Sequence, residues 1–389
     1  MAIATGVAKQ LRYKVESTWG TAPSAGSAQL LRRVSSDLSL VKQSYESNEI
    51  NSHYQRVDMR HGVKSVEGTI NGELSPGTYE DFMAAAVRRA FTAVSALTSL
   101  SLTFAGAGPT YTITRGSGDW LAGGIKAGQV GRITAGAVNA ANLNKNVFVL
   151  SATTTVLTVM PLNGVALVAE GPIASCTYSV PGKITYAPLT AHTDLSYAIE
   201  HWHADVSLSE LFLGCKINQM DVALPPSGMA TIGFQFLGKD VTTAGAEYYT
   251  TPTAESESGV LAAVNGLLAT QGGAIALVTG LNFSMRGNMS GEAVVGSNTY
   301  ADITEGRILV DGSLTALFSS ATIRDYFLNE TEVNLMAALS ASGSAAAEFV
   351  AFSLPRIKFG GASKDDGDKA LIQTLPFTAL LNVAGGVST

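Results

Sequence analysis

The sequence predicts a mainly β fold (α+β). It consists of two tandem β-sandwich or half-barrel units, each with one flanking helix, plus a small all-β domain inserted in the first. Three observations carry this expectation. A strand-to-helix plan occurs twice, in the same order. Apolar residues in the strands of that plan recur with period two, the signature of a sheet with one buried and one wet face. The composition is strand-prone and poor in charge: of 389 residues 46% are hydrophobic, 14% are charged and 40 are glycine. Such a chain is too apolar for disorder and too long for one ordinary core.

The first copy of the plan is a strand over 66–74. Val66, Ile70 and Leu74 share one face with Gly68 and Gly72, while Glu67, Thr69, Asn71 and Glu73 share the other. A helix over 78–91 follows, with Thr78 as N-cap, Asp81 at N3, and an apolar stripe of Tyr79, Phe82, Met83, Ala86 and Ala90. The second copy runs through 308–314 into a helix over 322–327. Gly-x-Leu at Gly72–Leu74 is matched to Gly312–Leu314, and Thr-x-x-Asp-aromatic at Thr78–Phe82 to Thr322–Tyr326. This register sets Arg307 and Leu309 against Glu67 and Thr69. Around the copies lie further counterparts. Leu38–Leu40 corresponds to 281–285, and the hairpin 215–224/229–237 to 355–360/370–380, the latter joined by the charged loop 364–369. Repeats are decisive for architecture, since a missed repeat misreads the whole fold.

The remaining segments set the expected boundaries. Residues 1–35 read as an extended arm with a short strand at 11–15. Two long polar stretches, 43–62 and 286–306, read as loops between strands. From 98 to 182 short strands (111–114, 130–134, 147–152, 156–159, 176–180) alternate with Gly-rich turns, which predicts a small barrel or sandwich. The expected division is therefore 1–97 with 183–248, the insertion 98–182, and 249–389.

Chemistry is sparse. The net charge of −6 gives no electrostatic affinity for nucleic acid. Cys176 and Cys215 read as small buried hydrophobes, not a disulfide framework. Residues 1–6 lack the basic and apolar regions of a signal peptide. No apolar run approaches the roughly 20 residues that span a bilayer, so membrane insertion is not expected, nor is an outer-membrane barrel, which also needs aromatic girdles. His201-Trp202-His203, with His192 and Asp194 nearby, is the best metal candidate, but no further ligand completes a set, and a strand around a core Trp is the favoured reading. No phosphate loop, nucleophile elbow or carboxylate pair is present, so no catalytic residue, cofactor or metal is expected.

The chain resembles the tail tube (major tail) proteins of long-tailed bacteriophages. Three blocks carry the resemblance: 68–82, Tyr197–Trp202 with 214–218, and the hairpin 225–240. With the insertion they cover most of 35–245; the second half matches by repeat order. The resemblance implies a structural virion protein and no enzyme. Its rings would close their inner sheets into one barrel and stack into a hollow tail tube that conducts DNA. A duplicated unit implies a trimeric, pseudo-hexameric ring. Implied partners are further copies of the chain, a tape-measure protein, a tail terminator and baseplate or tip proteins, with assembly in the host cytoplasm. DNA would pass without specific binding, which calls for an acidic or neutral lumen. Expected lumen residues are Glu67, Thr69, Asn71, Glu73, Asp311 and Ser313. Expected contacts between stacked rings are Tyr45, Glu46, Glu49, His53, Arg56, Asp58, Arg60, Arg286, Glu292 and Glu305, with the N-terminal arm as a further contact. The competing readings are a tail terminator, a capsid-decorating protein and a glycan-binding virion protein with Trp120 or Trp202 as ring platforms.

Overall fold

A computed structural model of the chain describes residues 3–270, 273–275, 277–319, 321–366 and 368–382. Gly367, within the expected charged loop 364–369, lies outside the described residues. The fold is mainly β, with two α-helices among the described residues. The first strands are β1 (Lys9–Val15), β2 (Gly26–Leu30), β3 (Ser39–Glu46) and β4 (Met59–Glu73), followed by α1 (Glu80–Val87). The insertion contributes β5 (Leu97–Ala107), β6 (Thr110–Arg115), β7 (Val130–Ala135), β8 (Val147–Ala152), β9 (Val156–Pro161) and β10 (Glu170–Ser179). Next come β11 (Tyr197–His203), β12 (Leu208–Leu224), β13 (Thr231–Gly238) and β14 (Asp240–Ala244). The main elements of the second half are β15 (Gly266–Thr270), β16 (Val278–Arg286), β17 (Leu309–Leu317), α2 (Thr322–Leu328), β18 (Val333–Ser340), β19 (Phe349–Phe359), β20 (Ser363–Lys364) and β21 (Ile372–Ala379).

One long antiparallel sheet runs through both halves in the order β3-β4-β13-β12-β16-β17-β21, with the end of β19 and β20 on the far side of β21. The order β3-β4-β13-β12 thus recurs as β16-β17-β21-β19. Both β12 and β19 are shared between two layers. The first half of β12 pairs with β11, which pairs with β1. The first part of β19 pairs with β18, which pairs with β15. These outer strands lie over the long sheet, and one apolar core fills the space between the layers, from Leu11, Tyr13 and Tyr197 through Ile70 and Phe234 to Leu314, Leu335 and Phe377.

Helix α1 is held by its aromatic face. The Phe82 ring lies 4.7 Å from Tyr13 and 5.1 Å from Tyr197 on the outer layer, and 5.4 Å from Phe234 and 5.3 Å from Phe236 on the long sheet. The expected Thr78 cap does not form. Tyr79 occupies the N-cap position without a side-chain bond, and the buried Thr78 hydroxyl pairs instead with Ser75 Oγ at 2.6 Å. Asp81 accepts from Tyr13 Oη at 3.0 Å, so its carboxylate ties helix to sheet rather than capping the first turn. The helix ends at Arg88 in the left-handed region, short of the expected 91.

Four further expectations are corrected. The short strand expected at 11–15 forms, but not on an arm: β1 is an interior strand between β2 and β11, and β11 lies nearly 190 residues downstream, out of reach of local pattern. The loop expected over 43–62 is confined to 47–58, because β3 and β4 continue as a hairpin through Ser44–His61, Tyr45–Arg60 and Glu46–Met59. The stretch 286–306 likewise folds into a small hairpin, Ser290–Glu292 against Asp302–Thr304. Finally, the repeat register is Gly68 with Gly312, not Gly72 with Gly312. A Cβ on Gly68 would meet Leu38 and Asp37 of the neighbouring strand, and one on Gly312 would meet Phe283 and Asn282 in the same way. Gly68 faces Phe236 across the ladder and Gly312 faces Phe377. In this register Glu67 matches Asp311, Thr69 matches Ser313, and the strand and helix matches share one alignment.

The insertion is a closed barrel of six strands, β10-β5-β6-β9-β8-β7 and back to β10, with Trp120 and Tyr178 in its own core. Strand β5 lies outside the strands expected from the sequence. The barrel occupies the connection between α1 and β11. In the second half, α2 reaches β18 through the few residues after Leu328. One flank of the barrel (Val130, Phe148, Leu150, Met160, Leu162) packs on Ala269, Met336 and Ala338 of the second outer layer. Asn146 Nδ2 donates to the Ala347 carbonyl and Asn163 Nδ2 to the Ser344 carbonyl, both at 2.8 Å.

Candidate functional site

The alternation of β4 decides which side chains leave the core. Val66, Ile70 and Leu74 are buried, whereas Glu67, Asn71 and Glu73 are exposed and Thr69 is half-buried. On β17, Asp311 and Ser313 share the corresponding face, with Leu314 and Ala316 buried behind. Cross-strand neighbours extend this face. Glu73, Asn71, Thr69 and Glu67 stand opposite Thr231, Gly233, Gln235 and Leu237. Asp221 lies between Gly233 and Ser284, and Ser313 and Asp311 face Asn282 and Ser284. The six expected lumen residues therefore lie on the side of one continuous sheet that faces away from the core.

The face is polar and internally bonded. Thr69 Oγ1 donates to Asp37 at 3.0 Å, Asn71 Nδ2 to Ser35 Oγ at 3.1 Å, and Thr378 Oγ1 to Asp311 at 2.8 Å. Asp221 accepts from Gln219 Nε2 at 2.8 Å and from Ser284 Oγ. Where the two halves meet, Asn71, Asp221, Asn282, Arg286 and Asp311 line an open depression of about 650 Å³. Its cation, Arg286, sits 4.0 Å from the Asp311 carboxylate. Lys358, across from Thr378, lies 3.7 Å from Glu330 and 4.0 Å from Glu332. Carboxylates and amides thus set the character of the surface, and the cations on it sit beside carboxylates.

The expected ring-contact residues fall into two groups. Tyr45, Glu46, Glu49, His53, Arg56, Asp58 and Arg60 all lie exposed on the projecting β3–β4 hairpin. Arg56 pairs with Glu46 at 2.8 Å and Arg60 with Asp58 at 2.7 Å. Apolar residues outside the expected set stand beside them: Ile50 and Tyr54 are almost fully exposed, and Val57 and Met59 more than half. Their signal was there, since large apolar side chains in a polar hairpin ask for a partner. Glu292 belongs to the second hairpin, whereas Arg286 is the last residue of β16 and stays on the sheet face beside Asp311. Glu305 is turned inward, 3.3 Å from the buried Arg88, which also donates to the Gly287 and Gly306 carbonyls. Burial raises the Glu305 carboxyl above its usual range.

The histidine cluster does not converge. His201 is buried with Nε2 2.8 Å from Ser36 Oγ, and burial, then Lys9, His203 and Arg33, push its pKa down to about 2. His203 stands 3.5 Å from Glu210, and Asp194 accepts from Lys216 Nζ at 2.6 Å. Among the described residues no group of three or more His, Cys, Asp or Glu side chains is placed to hold a metal. Trp120 is no exposed ring platform: it is buried in the barrel and donates from Nε1 to the Thr155 carbonyl at 3.0 Å. Among the described residues no helix is long and apolar enough to cross a membrane.

A wide sheet crossing both halves, wet and carboxylate-bearing on one face, is the architecture expected of a channel wall. The family model for phage tail tube proteins matches residues 6–379. The chain belongs to the phage tail tube protein family. It is thus a structural virion protein, and the family places it in the tail. A search of curated proteins returns no match.

Proposed function

We propose that three copies of this chain form a ring with six tube units, and that rings stack into a hollow tail tube through which DNA passes. The units would be 1–97 with 183–248, and 249–389, with 98–182 as the insertion. The observation that carries this reading is the recurrence of β3-β4-β13-β12 as β16-β17-β21-β19 within one unbroken sheet. A sheet that already joins two like units side by side needs only the same step repeated to close, and closure removes the edges that otherwise promote disordered association. The wall facing the channel would be the side bearing Glu67, Thr69, Asn71, Glu73, Asp311 and Ser313. Phosphate would be repelled or ignored there, so DNA could slide. The β3–β4 hairpin would touch the ring above or below, burying Tyr45, Ile50 and Tyr54. Partners would be other copies of the chain, a tape-measure protein, a tail terminator and baseplate or tip proteins, with assembly in the host cytoplasm.

Electron microscopy of the purified chain at high concentration tests the reading. Hollow tubes with three chains per ring are expected. Single rings that never stack would point to a terminator. Six chains per ring would keep the tube and remove the two-unit argument. Persistent monomers, even with tail-initiating proteins present, would favour a decorating or glycan-binding role.

A further inference from the structure

We propose that neighbouring chains join by antiparallel pairing of residues 361–366 of one copy with 36–41 of the next, in the register that β12 and β16 use inside each chain. The inference rests on the ring reading above and adds to it a residue-by-residue seam.

Inside the chain, the second half of β12 meets β16 with Met220 opposite Met285, Asp221 opposite Ser284 and Val222 opposite Phe283. Each of these strands has a counterpart with a free edge. The counterpart of β12 is β19 continued through β20. Both change layers at equivalent points, where Cys215 faces Tyr197 and Ile357 faces Val333. Both then slip by one residue against their hairpin partner. The slip falls between Ile217 and Gln219 in β12. In the second half it falls between Phe359, opposite Phe377, and Ser363, opposite Thr374. Hence Asp221 corresponds to Ser363 and Val222 to Lys364. The counterpart of β16 is β3 with the residues leading into it. The close approaches at Gly68 and Gly312 equate Leu38 with Phe283.

Carrying the inner seam across gives Ala362 opposite Leu40, Ser363 opposite Ser39, and Lys364 opposite Leu38. The faces agree. Val222 and Phe283 point into the core; Leu38 is buried, and the Lys364 ammonium lies over the Phe318 ring, 3.6 Å from its centroid. Both edges lack a strand partner: among the described residues β3 pairs only with β4, and β20 only with β21, while the Ser36 carbonyl accepts from Lys9 Nζ at 2.9 Å. One position disagrees. Ala223 opposite Asn282 becomes Asp365 opposite Asp37, and like charges facing each other across a ladder oppose pairing. The seam between chains is therefore weaker than the seam within them.

Cysteine pairs read the register directly. Facing residues in an antiparallel ladder have Cα atoms about 4.5–5.5 Å apart, inside the range a disulfide accepts. The native Cys176 and Cys215 are buried and do not compete. In assembled full-length protein, Ser39→Cys with Ser363→Cys should convert most of the chain to covalent trimers on oxidation. Gln43→Cys with Ser363→Cys, displaced by four residues or about 13 Å along β3, should give none. A mixture of the two single variants, S39C and S363C, should give covalent dimers and nothing larger. Tubes that seal at 43/363, or at neither pair, overturn this seam while leaving the ring intact. A wild-type chain that forms no rings at all brings down the ring reading, and the seam with it.

Discussion

His201 shows how one residue sets a pH response. Its imidazole is 1% exposed, edge-on to Phe212, and hydrogen-bonded to Ser36. Because its pKa falls to about 2 in the folded chain, only the unfolded chain takes up the proton as pH drops below about 6.5. Stability contributed by the neutral ring is complete above that pH. It is lost at about 1.4 kcal/mol per pH unit below it. Unfolding free energies from urea titrations at pH 7.5 and pH 5 should differ by about 2 kcal/mol more in the wild type than in His201→Gln; equal differences would show that the ring is not held neutral. A second residue-level case is Gly312. A methyl group there would collide with Phe377, Phe283 and the Asn282 carbonyl. Gly312→Ala should cost about 1–3 kcal/mol in denaturant unfolding, against under about 0.5 kcal/mol for Gly343→Ala, which meets nothing. The sequence displays the Gly-x-Leu pair at 72–74 but not the backbone contact that singles out Gly68. That is why pattern matching slid the repeat by four residues. An even slide keeps every side chain on its face, so Asp311 and Ser313 fall on the same side of the sheet as Glu67 and Thr69 in either register.

Among elements, the alternating part of β4 was legible because each buried residue there is apolar and each exposed one polar. Its first half was not, since Met59, Arg60 and His61 are exposed and no period-two hydrophobicity survives on a hairpin that projects into solvent. The same absence of burial makes the projection expendable for folding. Replacing residues 48–57 by a two-residue turn should leave the unfolding free energy within about 0.5 kcal/mol of wild type. Rings should still form, while stacking stops. Tubes of normal length from this variant, seen by negative-stain microscopy, would remove the hairpin from the stacking contact. The barrel was visible from its Gly-rich turns. Its docking was invisible, because Val130, Phe148 and Met160 look like ordinary strand residues until Met336 and Ala338 are seen against them.

For the whole molecule, the two halves join through a seam without facing charges of like sign, whereas the proposed seam between chains sets Asp37 opposite Asp365. Assembly should therefore quicken with ionic strength as the repulsion is screened over about 8–10 Å. Asp365→Asn should assemble faster at low salt and lose most of that dependence; light scattering against time measures both. Unchanged kinetics in the variant would mean that the two carboxylates never meet. The paired organisation was legible in the order of blocks. The outer layer was not, because β1 finds β11 only after the whole insertion has been passed.

The barrel follows α1 and has no counterpart after α2. In a ring of three such chains, a particle travelling along the bore would sense six near-identical facets, whereas anything touching the exterior would sense three lobes separated by three bare sectors. The same object would be hexagonal within and triangular without, so a binder fitted to the outside could dock in half as many orientations as one fitted to the inside.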